Sequence, residues 1–568
     1  MIAGGLGALA IFIFSALLAW PLGRYMAKVY KGEKNAFDFP GTFENLIFRI
    51  CKIDSSVGMD WKQYLLAMLC INIVWLVWAL IILLFQGRLF LNPAGNPSME
   101  WTLALNAAIS FLTSTNLQHY AGETGATYFS QMAVFMFLQF VSAATSMAVG
   151  VAVVRGLIAD TSTNIGNFYF DFVRSLTRVL LPLSLLTAIL FMLCGMPMTF
   201  HGPAKITSLQ KDTVTVSTGP VAAMIPIKEL GANGGGFFGA NDAHPFEAPG
   251  FFAFIIHCLI VFLLPMAFIF MIGYYLNHHK FSRMLFTIMT AGFILVMIPI
   301  LWQEVSGNKI TEQMGVDTSA GNMEGKEVRF GSFYSAYYAA ENAAVPAGTN
   351  VSVPDSFMPL SGAAMIAAMN IDAFFGGVGT GWINMFLFLV ISVFIATLMI
   401  GRTPEIFAKK IEIRETQLAA GVVVLQTFIP LTFTAIACFI YHNYNGNNDS
   451  LAWLSNKGQH GFTTMLYEYF SSAAGNGSEF SGLNSNTAYW NLTTSIVMLC
   501  GRFAPITGAL AIAGLLRKKQ WIAPSPGSLS ADSNTFGLFL FAVIIAINGL
   551  SLMVVLILGP IAEYALLK

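Results

Sequence analysis

Ala232-Asn233-Gly234-Gly235-Gly236 sets a polar, glycine-rich run between a short apolar stretch and the long apolar run 251–275. Irregular backbone at membrane depth is tolerated only inside protein or around a water-filled path. Glycine also permits angles that aim successive carbonyls at one point. Three more segments lie between apolar runs in the same way: Thr113-Ser114-Thr115-Asn116, a looser one at Glu341-Asn342-Ala343, and Gly475-Asn476-Gly477-Ser478. Four such loops read as four walls around one pore, where backbone carbonyls replace the hydration shell of a cation.

Composition fits this reading. Apolar residues make up 56% of the 568-residue chain and charged residues 10%, which excludes an ordinary soluble protein. Divided into spans of about 20 residues, the sequence predicts ten transmembrane helices, near 3–22, 62–85, 131–155, 172–195, 251–275, 284–303, 382–401, 418–441, 490–516 and 536–558. The fold class is therefore all-α and integral to a membrane. The first helix lacks a basic leader and a clear cleavage site and reads as retained. Five of the six cysteines fall within spans and read as helix packing.

Net charge is zero, but its placement is uneven. Arg24, Lys28, Lys31, Lys34, Arg49, Lys52 and Lys62 crowd the first loop. Basic residues recur at every second loop: Arg174 and Arg178; Lys280 and Arg283; Arg402, Lys409, Lys410 and Arg414; Arg517, Lys518 and Lys519. The positive-inside rule places those loops in the cytoplasm, and both termini and all four special loops outside.

The chain then divides into an N-terminal helix and cytoplasmic loop (1–61), four units of helix, pore loop and helix (62–155, 172–275, 284–402, 418–516) and a C-terminal helix (536–568). Units of one orientation are related by an axis along the membrane normal, which is how a central pore forms. Short apolar stretches such as Trp101 to Leu112 and Phe462 to Ser472 precede the loops and read as re-entrant helices. In the third unit, Asp372 and Gly376-Gly377-Val378-Gly379-Thr380-Gly381 interrupt a run too long for one span, predicting a broken helix. That glycine run resembles a filter signature, but it stands only about five residues before Trp382, closer than the other loops stand to their spans, so the third filter is assigned to Glu341, Asn342 and Ala343.

Arg502 lies near the middle of the ninth span. A central arginine costs a few kcal/mol or more and faces a cavity or a partner. Asp372, the acid inside the membrane break, is the candidate partner, and the two predict a polar gate below the filter. The sequence carries no phosphate-binding loop and no Asp-Lys-Thr-Gly motif, so any ATP hydrolysis falls to another chain.

Several segments together resemble the channel-like A subunit of the bacterial Kdp potassium-importing ATPase. They are Thr113-Ser114-Thr115-Asn116 with Gln118; Asn233-Gly234-Gly235-Gly236-Phe237-Phe238 with Ala243-His244-Pro245-Phe246-Glu247; Phe375-Gly376-Gly377-Val378-Gly379; and Gly401-Arg402-Thr403-Pro404-Glu405 with Lys409-Lys410-Ile411. The resemblance spans essentially the whole chain. It implies a relative of the Trk and Ktr potassium transporters in a bacterial inner membrane, non-catalytic by itself, with K+ as the transported ion and no nucleotide bound. It implies a filter at Thr113, Ser114, Thr115, Asn116, Asn233, Gly234, Gly235, Glu341, Asn342, Ala343, Asn476, Gly477 and Ser478, and gate or coupling roles for Asp372, Gly376, Gly377 and Arg502. The implied partners are a KdpB-like P-type ATPase subunit, a single-span KdpC-like subunit, a small KdpF-like peptide and membrane lipid, with no nucleic acid.

Three departures from the family pattern bear on selectivity: Ala232 where a threonine is usual, Glu341-Asn342-Ala343 where a small residue and glycine are usual, and a fourth loop about one residue shorter. An acid in a filter binds cations through full charge, not fitted carbonyls. Two other readings stay open on the residues: an autonomous Trk-type potassium or sodium channel or symporter, and a membrane scaffold with closed filters.

Overall fold

A computed structural model describes residues 2–34, 40–158, 162–207, 209–210, 212–400, 405–444, 452–520 and 530–567. Its elements, in chain order, are α1 (Ala3–Lys31), α2 (Trp61–Arg88), α3 (Trp101–Leu112), α4 (Tyr128–Gly156), α5 (Phe168–Leu193), α6 (Val221–Leu230), α7 (Phe251–Leu276), α8 (His279–Gln313), α9 (Gly331–Ala344), α10 (Pro359–Ile371), α11 (Thr380–Met399), α12 (Ile413–Asn443), α13 (Gly458–Ala474), α14 (Ala488–Arg517) and α15 (Asn534–Leu566). Ten of these are long and apolar enough to cross a membrane. They stand where the ten apolar runs predicted them, most of them a few residues longer at one or both ends.

Burial sorts the spans into two rings. The spans that follow the special loops, α4, α7, α11 and α14, are between 56% and 89% buried over their most apolar windows. Those that precede the loops, α2, α5, α8 and α12, are between 28% and 44% buried. An apolar helix that its own chain does not cover needs hydrocarbon or another apolar helix around it, so the second set forms the outer ring and the first the interior. Helices α1 and α15 also lie outside, at 22% each. Helix α1 runs along α7 for most of its length.

Local chemistry fixes where helices start. Asp60 accepts from the Lys62 and Gln63 amides while the Gln63 side chain accepts from the Asp60 amide, a reciprocal cap on α2. Glu100 caps α3 by accepting from the Thr102 amide at 2.7 Å. Departures from all-helix are small. Strands β1 (Ala204–Thr207) and β2 (Thr213–Val216) form an antiparallel ribbon in register Ala204 with Val216, and β3 (Glu405–Ile406) pairs with β4 (Lys409–Lys410). Of the segment Gly401-Arg402-Thr403-Pro404-Glu405, residues 401–404 lie outside the described residues.

Candidate functional site: four loops over a buried cavity

One backbone motif ends each of the four short helices α3, α6, α9 and α13. The Thr115 amide donates to the Ser110 carbonyl, Asn233 to Lys228, Ala347 to Asn342 and Asn476 to Ser471, each at 2.9–3.1 Å. A bond from an amide to the carbonyl five residues back is the longer arm of a Schellman cap, which reverses the chain at a helix end. The residue before each donor is left-handed in three loops, Ser114 (φ 65), Ala232 (φ 48) and Gly475 (φ 72). In the third loop it is Pro346, whose ring forbids that conformation. The residue after each donor is left-handed in all four: Asn116, Gly234, Gly348 and Gly477.

This shared register sets Thr115-Asn116-Leu117, Asn233-Gly234-Gly235, Ala347-Gly348-Thr349 and Asn476-Gly477-Ser478 in equivalent places. It corrects the position of the third loop. Glu341, Asn342 and Ala343 are buried on α9, still helical, and the irregular backbone begins after Ala344. Two polar residues in a row mimic a loop, but the helix continues through them because the run Gly331–Ala344 keeps an apolar, small-residue face against its neighbours. The signal that could have located the true loop was Pro346 two residues before Gly348, since proline stops a helix and glycine permits the turn.

The loops touch in sequence around a closed circuit. Ser114 Oγ and Asn233 Oδ1 lie 2.5 Å apart, Asn116 Nδ2 donates to the Gly234 carbonyl at 2.8 Å, and Gln118 exchanges two hydrogen bonds with Gly236. A Cβ on Gly234 would fall 2.1 Å from the Ala347 carbonyl, so the second loop presses on the third. Asn476 Nδ2 donates to the Asn342 carbonyl at 3.0 Å, joining fourth to third. A Cβ on Gly477 would fall 1.9 Å from the Thr115 carbonyl, closing the fourth onto the first. Helices α3, α6, α9 and α13 thus bring their C-terminal ends to this circuit, where the helix dipole is negative and favours a cation.

Below the circuit lies a small cavity of about 30 Å³, lined by Thr113–Thr115, Gly231, Pro346, Gly475 and, beneath them, Asp372, Gly377 and Arg502. The chain breaks here. Helix α10 ends at Ile371, Asp372 is left-handed (φ 40), Phe375, Gly376, Gly377 and Gly379 all have positive φ, and α11 begins at Thr380. A Cβ at Gly379 would sit 2.5 Å from the Ser146 carbonyl, so that glycine lets the break seat against α4.

Asp372 and Arg502 share the cavity without forming the direct pair that the sequence suggests. Asp372 Oδ2 accepts from Asn384 Nδ2 at 2.7 Å, and its Oδ1 is buried with no hydrogen-bond partner. Arg502 Nη2 donates instead to the Ser142 carbonyl at 3.0 Å and to the Ser146 hydroxyl. The sequence offered Asp372 as the acid inside the membrane break but could not show that α4 presents two oxygens to Arg502.

Sequence reasoning also missed the residues behind the loops. Gln139 and Ser142 on α4 hold Asn233, with Asn233 Nδ2 donating to the Gln139 carbonyl and Ser142 Oγ to Asn233 Oδ1. Behind loops two and three, Lys228 Nζ lies 2.6 Å from Asp242, 2.9 Å from Glu247 and 3.4 Å from Glu229, while His257 Nδ1 faces Glu229 at 3.1 Å. Tyr338 donates to Asp242 at 2.8 Å and receives from Thr349 at 2.8 Å. Glu229, Asp242 and His257 are close enough to hold a metal, but Lys228 already supplies the cluster's positive charge. Behind loops four and one, His119 bridges Asn491 and Glu468 at 2.6 and 3.1 Å.

The family model "KdpA: Potassium-transporting ATPase A subunit" matches residues 9–565. This chain belongs to the KdpA family. Among curated relatives, the potassium-transporting ATPase potassium-binding subunit of Flavobacterium psychrophilum is 48% identical, covering 99% of each chain. The subunit of the same name from Phocaeicola vulgatus is 44% identical over 98% of this chain and 99% of its own. The crystal structure of the potassium transporter TrkH from Vibrio parahaemolyticus is similar over 88% of this chain and 96% of that one, at 15% identity and a TM-score of 0.49. As a KdpA-family member the chain is a multi-pass membrane protein of a potassium-transport family. Within it, Thr113, Ser114, Thr115, Asn116, Asn233, Gly234, Gly235, Asn476, Gly477 and Ser478 stand in the circuit, and Gly376 and Gly377 in the break beneath.

Proposed function

We propose that this chain is the potassium-binding and translocating subunit of an ATP-driven importer. The four loops form the selectivity filter, with Ala347, Gly348 and Thr349 supplying its third wall, and the four helix–loop–helix units surround the pathway. Potassium enters from the outer side, sheds water against loop carbonyls and reaches the cavity that Asp372 and Arg502 line. A buried guanidinium there opposes a second positive charge, while the Asp372 carboxylate offsets it, so the pair sets the barrier below the filter. The basic loops face the cytoplasm of a bacterial inner membrane, and both termini face outward.

ATP hydrolysis takes place on a P-type ATPase partner, with a single-span subunit and a small peptide completing the complex. The names of the curated relatives support this assignment. The observation that carries it is the one capping motif repeated in four loops that close on each other over a polar cavity.

The deciding experiment is growth at low potassium of a bacterium stripped of its own uptake systems. Rescue only when this chain is expressed with the ATPase and small subunits of its source supports the driven importer. Rescue by this chain alone would establish an autonomous channel or symporter instead.

A further inference from the structure

The face of α4 that looks inward carries Gln139, Ser142 and Ser146, spaced three and four residues apart and so stacked on one side of the helix. All three are buried. Gln139 and Ser142 hold the second loop through Asn233. One turn lower, the Ser142 carbonyl and Ser146 hydroxyl take the Arg502 guanidinium. The Ser146 hydroxyl also donates to the Ser142 carbonyl at 3.0 Å, and the Ser146 carbonyl is the surface on which Gly379 rests.

Arg502 has a stronger partner available. Arginine prefers a carboxylate, which it can meet with two parallel hydrogen bonds. Asp372 faces the same cavity with one oxygen unpartnered, and opposite charges attract more strongly in a buried, low-dielectric site than in water. Only a carbonyl and a hydroxyl hold the guanidinium on the α4 side. The hydroxyl is the part of that hold that sequence can remove.

We propose that Ser146 is a positioning residue for Arg502: its hydroxyl, with the Ser142 carbonyl, parks the guanidinium against α4 and away from Asp372, keeping the cavity passable to a cation. This rests on the ring of loops being the ion pathway. Without the hydroxyl, Arg502 crosses to Asp372 and the two side chains bar the cavity floor. Ser146 does not touch the ion; it acts through Arg502.

The test uses the assembled complex with its ATPase subunit. Ser146→Ala should lower rubidium or potassium uptake about tenfold, the factor one charge-assisted hydrogen bond carries, while Ser146→Thr, which keeps the hydroxyl, stays close to wild type. An electron-microscopy structure of the Ser146→Ala complex should place the guanidinium within about 4 Å of the Asp372 carboxylate. Wild-type uptake by Ser146→Ala would overturn the proposal. So would equal loss in both variants, which would make bulk and not the hydroxyl the cause, or a guanidinium still on the Ser142 carbonyl. A wild-type complex that moves no potassium would instead sink the importer reading, and the guanidinium's position in Ser146→Ala would still decide the role of Ser146.

Discussion

The Asn342 carbonyl accepts two hydrogen bonds, from the Ala347 amide of its own loop at 3.1 Å and from Asn476 Nδ2 of the neighbouring loop at 3.0 Å. A single carbonyl therefore caps α9 and ties the third loop to the fourth. Asn476 is itself fixed, because its Oδ1 accepts from the Ser478 amide at 3.0 Å.

Asn476→Asp tests that tie at constant shape. The new carboxylate cannot donate and would face the Asn342 carbonyl, leaving buried acceptors opposed at a cost of about 1–3 kcal/mol. Potassium affinity of the complex should fall by about tenfold or more while the complex still assembles. Titration of ATPase activity with potassium, alongside size-exclusion chromatography, reads both. Unchanged affinity would show that the tie does not shape the filter.

Gly348 sits at φ 62, and a Cβ there would fall 1.8 Å from the Asn476 carbonyl. Both backbone strain and a hard clash with another loop oppose any side chain. Gly348→Ala should abolish high-affinity potassium uptake. Glu341→Ala, a larger chemical change seven residues earlier on α9, should keep most of it. Growth at limiting potassium separates the two, and the reverse ranking would return the third wall to Glu341.

Ten spans and three of the four loops were legible in the sequence because their signals are local: long apolar runs, and glycine or asparagine at the position that must be left-handed. The third loop was not, since Glu341-Asn342 is polar enough to look exposed and Ala347-Gly348-Thr349 follows a proline as many plain turns do. What distinguishes them is the bond from Ala347 back to Asn342 and the pressure of Gly234 on the Ala347 carbonyl, and both depend on the fold. The placement of Arg502 was illegible for a similar reason. Ser142 and Ser146 lie more than 350 residues away in sequence, and two serines in a helix of small residues announce nothing by themselves.

Glu341 is fully buried, its side chain meets the Cys258 thiol, and no cation pairs with it among the described residues. Burial pushes the Glu341 carboxyl well above the usual carboxylate range, so it is held neutral, a state that an amide of nearly the same shape reproduces. Glu341→Gln should leave the preference for potassium over sodium unchanged and move the thermal midpoint of the purified complex by little. A shift in ion preference measured by competition would mean that the side chain reaches the pathway after all.

His460 joins the start of α13 to two other parts of the chain, with Nδ1 2.9 Å from Glu563 on α15 and Nε2 2.9 Å from Asp355 in the loop after the third wall. Burial alone would lower its pKa, but hydrogen bonds and charge from Asp355 and Glu563 outweigh that and raise it to about 10. Because the folded value lies above the unfolded one of about 6.5, the stabilisation is full below pH 6.5 or so and is lost as pH rises through about 10. Around pH 7 the imidazole is charged when folded, so modest acidification should not loosen the clamp. Thermal midpoints of the wild-type complex should therefore fall from neutral pH toward pH 10 more steeply than those of His460→Gln, which should start several degrees lower at pH 7. Parallel curves for the two proteins across that range would show that the His460 charge does not hold α15 to α13.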